Sequence, residues 1–252
     1  MSLTRRKFLQ ICAGSAAAAG ASTILCPQVV QALKEKAGNQ PIVWLNGQSC
    51  TGCSVSLLNA GRPDIAEVLL DIISLDYHGT VMASAGELSM GILDTALQDR
   101  SGDYILLVEG SVPTAHNGHF CVIGEKDGKQ TTMLEAVKKM GKNAKAVVAI
   151  GSCASWGNIP AASPNPTDAK PVSEILPDAT LINIPGCPPH PDWMVGTLAH
   201  VLLYGIPELD DLGRPTVFFG PDKLTHDNCE RRQYFDKGEF AKNFSDPGCM
   251  YE

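Results

Sequence analysis

Positive charge is scarce in this chain. Twenty lysines and arginines face 27 aspartates and glutamates, and three of the basic side chains (Arg5, Arg6 and Lys7) sit together at the start. The stretch up to Ala32 holds these three and no acid, so without it the formal charge of −7 becomes −10. No basic patch is left to neutralise a phosphate backbone, which argues against nucleic acid as a partner. The acidic surplus is compatible with a basic protein partner. Beyond Ala32 there is no apolar run of the roughly 20 residues that a membrane span needs. Internal repeats are absent, which argues against a solenoid. Also missing is a second compact Cys-x-x-Cys pair, so the usual two-pair pattern of structural zinc is not present.

The beginning of the chain reads as a leader. Adjacent arginines in "TRRKFLQ" precede a moderately apolar, alanine-rich stretch, the pattern of a twin-arginine export signal for folded proteins. Cleavage is expected after Ala32, within "VQA". Leu25 is too bulky to make Cys26 a good lipid-attachment site. The length that remains suits one sizeable domain plus an appendage.

Nine cysteines are present, and Cys12 and Cys26 fall in the leader. The other seven are Cys50, Cys53, Cys121, Cys153, Cys187, Cys229 and Cys249, an odd number that cannot all pair within the chain. Disulfides and bound metal both remain open at this point. For the pair in "WLNGQSCTGCSVSLLNA" four readings stand open: zinc, an iron–sulfur cluster, a redox-active disulfide, or no bound group at all.

From Gln40 onward, apolar runs alternate with helical patterns. "PIVWL" (41–45), "DYILLVEG" (103–110), "AKAVVAIG" (144–151) and "ATLINIPG" (179–186) read as buried parallel strands. Residues 85–100, 131–141 and 190–205 read as helices, and the Pro- and Asn-rich stretch 159–171 as a surface loop. This alternation predicts a doubly wound α/β domain, in which ligands bind at the carboxyl ends of the strands. Cys50 and Cys53 follow the first of these strands, Cys153 the third and Cys187 the fourth. Three βα turns would thus deliver four thiolates to one sheet edge, with Gly52, Gly151 and Gly186 allowing close approach. One close pair joined by two solitary, distant cysteines suits a 4Fe–4S cluster better than zinc. Near the end, His226, Cys229 and Cys249 form a second group, equally compatible with half a cluster and with a surface histidine beside stray cysteines.

The motifs "CTGCSVSLLN", "VEGSVPT", "AIGSCASWG", "PGCPPHPDWMVGT", "GRPTVFFG" and "HDNC" resemble the small subunit of nickel–iron hydrogenases from about Pro41 onward. The wording of "SVSLLN" and "PPHPDWMVGT" is most similar to the nickel–iron–selenium subgroup. The resemblance implies a flavodoxin-like domain over residues 33–212, after a leader at 1–32. An incomplete, irregular iron–sulfur domain would then occupy 213–252. It implies that Cys50, Cys53, Cys153 and Cys187 bind a proximal 4Fe–4S cluster, and that His226, Cys229 and Cys249 ligate a distal one. Thr51 and Glu109 fall where the family has polar residues beside the proximal cluster; a proton-moving role and a plain cap or strand-end hydrogen bond are equally open. Cys121 matches a position that is not a ligand and is expected as a buried thiol.

The implied partners are a large subunit that bears the nickel–iron(–selenium) centre and a multihaem cytochrome c. The complex is expected in the periplasm, with any attachment to the membrane made through partners. The family pattern continues past "CMYE" with a further distal ligand and the cysteines of a medial cluster, so the sequence is expected to be a fragment of its protein. Oxygen-tolerant relatives carry two extra cysteines near the proximal cluster, where this chain has Gly52 and Asn158. Two rival readings are the cluster subunit of an NADH-dehydrogenase-like complex and a zinc-stabilised binding module.

Overall fold

A computed structural model describes residues 4–6, 27–36, 39–61, 63–221, 224, 226, 227, 229–243 and 245–251. Most of the expected leader, including Cys12 and Cys26, lies outside them. The core is a parallel five-stranded sheet built from β1 (Gln40–Asn46), β2 (Ile73–His78), β3 (Ile105–Glu109), β4 (Ala146–Ile150) and β5 (Leu181–Ile184). Their order is β2-β1-β3-β4-β5, the flavodoxin-like arrangement, and strand order reverses between β1 and β3. Strand β2 carries Ser74, Asp76 and His78 among its apolar residues and is not among the four strands the apolar runs predict. It forms an edge, where one face is only half buried.

Alternation within the strands splits the core into two layers. Ile42, Trp44, Ile105, Leu107, Val148 and Ile184 face one side and pack with Leu57, Met194 and Leu198. Val43, Leu45, Leu106, Val108 and Val147 face the other and pack with Met90, Leu93, Met133 and Val137. The helices that supply these partners are α1 (Pro27–Lys36), α2 (Gly52–Leu57), α3 (Gly86–Asp99), α4 (Met133–Gly141), α5 (Gly151–Trp156) and α6 (Pro191–Tyr204). Local chemistry fixes their starts. Thr132 and Glu135 close a capping box at α4. Helix α6 begins with Pro191 behind His190, whose ring accepts from Asp192 N–H at 3.2 Å.

Helix α1 spans the boundary expected between residues 32 and 33. Its Leu33 is 1% exposed within the core, and Lys34 reaches Asp71 at 2.8 Å and Glu67 at 3.3 Å. Residues 159–171, expected as a plain loop, contain the end of a short helix (Asn158–Ala161). They also contain a strand, Ala169–Lys170, that pairs with Val112–Pro113. The Asn165 side chain braces this turn, accepting from Ala169 N–H at 2.8 Å and donating to Ala169 O at 3.2 Å.

Candidate functional site

Register places the site. Asn46 of β1 pairs with Glu109 of β3, Glu109 with Ile150 of β4, and Ile150 with Ile184 of β5. These strand ends are therefore level, and the chain leaves each of them on the same edge. The turn after β1 carries Cys50, the first turn of α2 carries Cys53, α5 carries Cys153, and the turn after β5 carries Cys187. Backbone bonds hold the turns to one another. Gly47 N–H donates to Glu109 O at 2.8 Å, Gln48 and Ser111 exchange bonds at 2.9 and 3.2 Å, and Ser152 N–H donates to Gly186 O at 2.8 Å. The Ser152 hydroxyl accepts from Gly186 N–H, and Ser56 Oγ donates to Pro189 O.

The four thiols of Cys50, Cys53, Cys153 and Cys187 are free and close enough to affect one another. Burial pushes the Cys53 thiol far above the usual thiol range. The neighbouring Glu109 carboxylate and the sulfurs of Cys153, Cys50 and Cys187 add to the rise. Cys153 is raised chiefly by burial, with a contact from the Asn158 side chain pulling the other way. Such thiols hold their protons unless cationic metal compensates the charge, so the set suits a metal-bearing group. Space supports this. Gly151 has a left-handed backbone, and a Cβ on it would lie 2.4 Å from Cys53 Sγ, so this wall is bare by necessity. Among the described residues, no three His, Cys, Asp or Glu side chains converge tightly enough to share one metal ion.

Glu109 is 0% exposed at the last position of β3, and its carboxylate is surrounded by donors. Oε1 accepts from Cys53 N–H at 3.1 Å. Oε2 accepts from Trp44 Nε1 at 3.2 Å, Asn46 Nδ2 at 3.0 Å and Ser54 Oγ at 2.5 Å. Behind Ser54 stands His78, with Nε2 3.0 Å from Ser54 Oγ and Nδ1 accepting from Thr80 N–H at 3.1 Å. Burial lowers the His78 pKa, with the Glu109 charge partly opposing it. Sequence reasoning finds Glu109 but misses Ser54 and His78. The available signal was the apolar–polar alternation of "ISLDYH" immediately before Gly79.

Thr51 caps α2 in position only. Its backbone is left-handed at φ +64°, and its side chain makes no cap hydrogen bond. Cys121 is partly rather than fully buried, packed beside the layer that holds Met133, and burial raises its thiol pKa. In the C-terminal segment, Arg231 Nη1 donates to Gly248 O at 2.7 Å and Asp246 O at 3.0 Å, tying the turn after Cys229 to the one before Cys249. The exposed His226 ring meets Phe235 edge-on at 4.6 Å, and Phe235 in turn contacts Phe240 and Tyr251. Cys249 is buried and pairs through a backbone bridge with Phe240, so this aromatic cluster links the turns of His226 and Cys249.

Two family models match the chain. Residues 50–201 match the family described as NADH ubiquinone oxidoreductase, 20 kDa subunit. Residues 222–252 match the family described as the C-terminal part of the NiFe/NiFeSe hydrogenase small subunit, a region that favours a hydrogenase over the NADH-dehydrogenase reading. The periplasmic [NiFeSe] hydrogenase small subunit of Desulfomicrobium baculatum is 46% identical, over 100% of this chain and 84% of its own length. The periplasmic [NiFe] hydrogenase small subunit of Solidesulfovibrio fructosivorans is 42% identical, over 99% of this chain and 78% of its own. The crystal structure of a reduced, active form of the D. baculatum Ni-Fe-Se hydrogenase superimposes with a TM-score of 0.78 at 46% identity, covering 85% of this chain and 82% of that one. The chain belongs to the family of nickel–iron and nickel–iron–selenium hydrogenase small subunits.

Proposed function

We propose that this chain relays electrons between the nickel–iron(–selenium) centre of a large subunit and an external carrier, and that Cys50, Cys53, Cys153 and Cys187 hold the 4Fe–4S cluster nearest that centre. The observation that carries the reading is the level register of Asn46, Glu109, Ile150 and Ile184, from which the turns bearing these cysteines depart. A cluster bound there would supply a one-electron couple. The chain's own part is to present four thiolates at fixed positions, exclude bulk from the Gly151 wall, and hold the Cys53 backbone N–H on the Glu109 carboxylate.

His226, Cys229 and Cys249 are proposed as ligands of a second, distal cluster, with the exposed histidine on the side where electrons leave. Assembly with the large subunit buries Cys50 and Cys187, both exposed in this chain alone. A multihaem cytochrome c is the proposed carrier, which the acidic balance of the chain suits if the carrier is basic. Export of the folded subunit by its twin-arginine leader places the complex in the periplasm, as the names of the D. baculatum and S. fructosivorans relatives describe theirs.

The test is made on the native heterodimer. Iron and acid-labile sulfide should be present in near-equal amounts, and Cys187→Ala should abolish the proximal cluster's EPR signal in the reduced protein. Zinc without sulfide, or an undiminished signal in Cys187→Ala, would overturn the reading.

A further inference from the structure

Cys187 comes from a turn that can make few hydrogen bonds of its own. In "PGCPPHP", residues 185–191, the four prolines have no N–H to give. The turn also folds back sharply. Gly186 has φ +150°, and a Cβ on it would lie 2.4 Å from Pro189 Cα. Two serines from outside the turn hold it, one on each side of Cys187. Before it, Gly186 gives its N–H to Ser152 Oγ at 3.1 Å and accepts from Ser152 N–H at 2.8 Å. After it, Pro189 O accepts from Ser56 Oγ at 2.8 Å. Ser56 and Pro189 are both buried, so water does not readily replace that bond. Each serine also stands on a helix that carries another cysteine of the set. Ser56 lies one turn after Cys53 on α2, and Ser152 immediately precedes Cys153 on α5.

Building on the proximal-cluster reading, we propose that Ser56 and Ser152 are positioning residues that seat Cys187 against the thiols of Cys53 and Cys153, and so decide whether the fourth iron is kept. With proline on both sides of it, the turn has few backbone torsions left to vary, so two anchors are enough to fix the Cys187 sulfur. The hydroxyls act on the backbone that carries a ligand, as outer partners of metal sites do when they orient the inner ones. Without them the exposed Cys187 thiol swings outward while Cys50, Cys53 and Cys153 stay in place. Three thiolates hold a three-iron cluster but leave a fourth iron without a protein ligand. A one-electron oxidant such as ferricyanide then completes the loss. The four-iron cluster gives it one electron and releases one ferrous ion, the oxidant is reduced to ferrocyanide, and the freed Cys187 thiolate takes a proton from water.

The experiment treats the assembled heterodimer with ferricyanide and reads the three-iron EPR signal of the oxidised protein against wild type treated alike, with iron measured before and after. Ser56→Ala should increase that signal about fivefold, the effect of one net hydrogen bond on an equilibrium, with a matching release of iron. Ser152→Ala should increase it less, because its backbone N–H still holds Gly186 O, and the two substitutions together should exceed either alone. Alanine is the better helix former, so α2 and α5 are not themselves weakened. Ser56→Thr, which keeps the hydroxyl, should return the signal toward wild type. Leu33→Ala, which weakens the fold away from the turn, should leave the signal unchanged. If Ser56→Ala yields too little complex, Ser152→Ala carries the same test at smaller amplitude. A cluster-loaded double variant with a wild-type three-iron signal would overturn the proposal, as would an equal increase in Leu33→Ala. A wild-type heterodimer without iron and sulfide would overturn the cluster reading itself, whereas a loaded wild type with unresponsive serine variants would overturn only the role of the serines.

Discussion

Gly151 stands so close to Cys53 that a methyl group on its Cα would come within 2.4 Å of the Cys53 sulfur. The same residue has a left-handed backbone, a conformation that costs an L-residue of order 1 kcal/mol or more. It opens helix α5 directly at the end of β4, so the backbone cannot retreat without pulling Cys153 with it. Gly151→Ala is expected to leave the sheet folded but to displace Cys53 or Cys153. The measurement is iron per heterodimer, which should fall to less than half the wild-type value while far-ultraviolet circular dichroism stays unchanged. Full iron loading in that variant would show that the wall is not tight.

How much of this was legible in the sequence depended on burial. Strands β1, β3, β4 and β5 were legible because nearly every residue in them is apolar and buried on both faces. Strand β2 was hidden by its own edge position, where Asp76 turns outward to Arg100 at 2.8 Å. The convergence of the cysteines was legible because each follows a strand and parallel register does the rest. The Glu109 environment was not. Ser54 is far from both Glu109 and His78 in the chain, and the three meet only through the pairing of β2 with β1 and β1 with β3. The braced turn at Asn165 escaped notice for a related reason. A side chain that bonds the backbone a few residues on leaves no periodic signature.

The N-terminal helix yields a stability prediction. Leu33 is 1% exposed in the layer that contains Ile72 and Leu198, immediately after the expected cleavage point. Leu33→Ala should destabilise the heterodimer's small subunit by about 2–5 kcal/mol, the usual range for a buried leucine truncated to alanine. Chemical denaturation of the purified complex checks the value. Mass spectrometry of the mature subunit should also find Leu33 retained, because removing it would open the same cavity.

Removal of the metal should expose a reactivity gradient among the cysteines. The Cys53 thiol pKa is pushed far up by burial and by Glu109, and that of Cys153 is also raised. A raised thiol pKa means less thiolate at a given pH, and the thiolate is the nucleophile. After chelation of iron from the isolated small subunit at pH 8, alkylation of Cys53 and Cys153 should lag that of the exposed Cys50 and Cys187 by tenfold or more. Raising the pH should speed the slow pair. Uniform labelling at pH 8 would show that the half-buried pair is not shielded.

Acid should weaken the fold through His78. Its folded pKa lies below the ordinary histidine value of 6.5 because burial penalises the cation. The unfolded chain therefore binds a proton at this residue, near its ordinary pKa, before the folded chain does. Stability tied to His78 is fully present above that value and is lost as pH falls through it, by at most about 1.4 kcal/mol per pH unit until the folded group titrates. His78→Gln should flatten this part of the stability curve between pH 6.5 and lower pH. An unchanged slope would mean that other groups, such as the similarly lowered His200, carry the dependence.

The last prediction concerns oxygen. The six-cysteine type of proximal cluster needs two further thiolates, at the positions of Gly52 and Asn158 in this chain. Both positions lie beside the thiol set. A Cβ on Gly52 would lie 3.0 Å from Cys50 Sγ, and the Asn158 side chain hydrogen-bonds Cys153. The geometry is thus near enough for extra ligands, but the chemistry is missing, since a hydrogen atom and a carboxamide cannot serve as thiolates. With only Cys50, Cys53, Cys153 and Cys187 available, the proximal site should show one accessible redox couple and no second oxidation at high potential. Oxygen tolerance that depends on rapid delivery of a second electron should be absent. Redox titration of the oxidised heterodimer by EPR should give a single one-electron transition at this site. Two successive transitions would defeat the prediction. Gly52→Cys combined with Asn158→Cys provides the converse check, because the nearness of these positions to Cys50 and Cys153 should let the new thiolates reach the cluster and create a second transition.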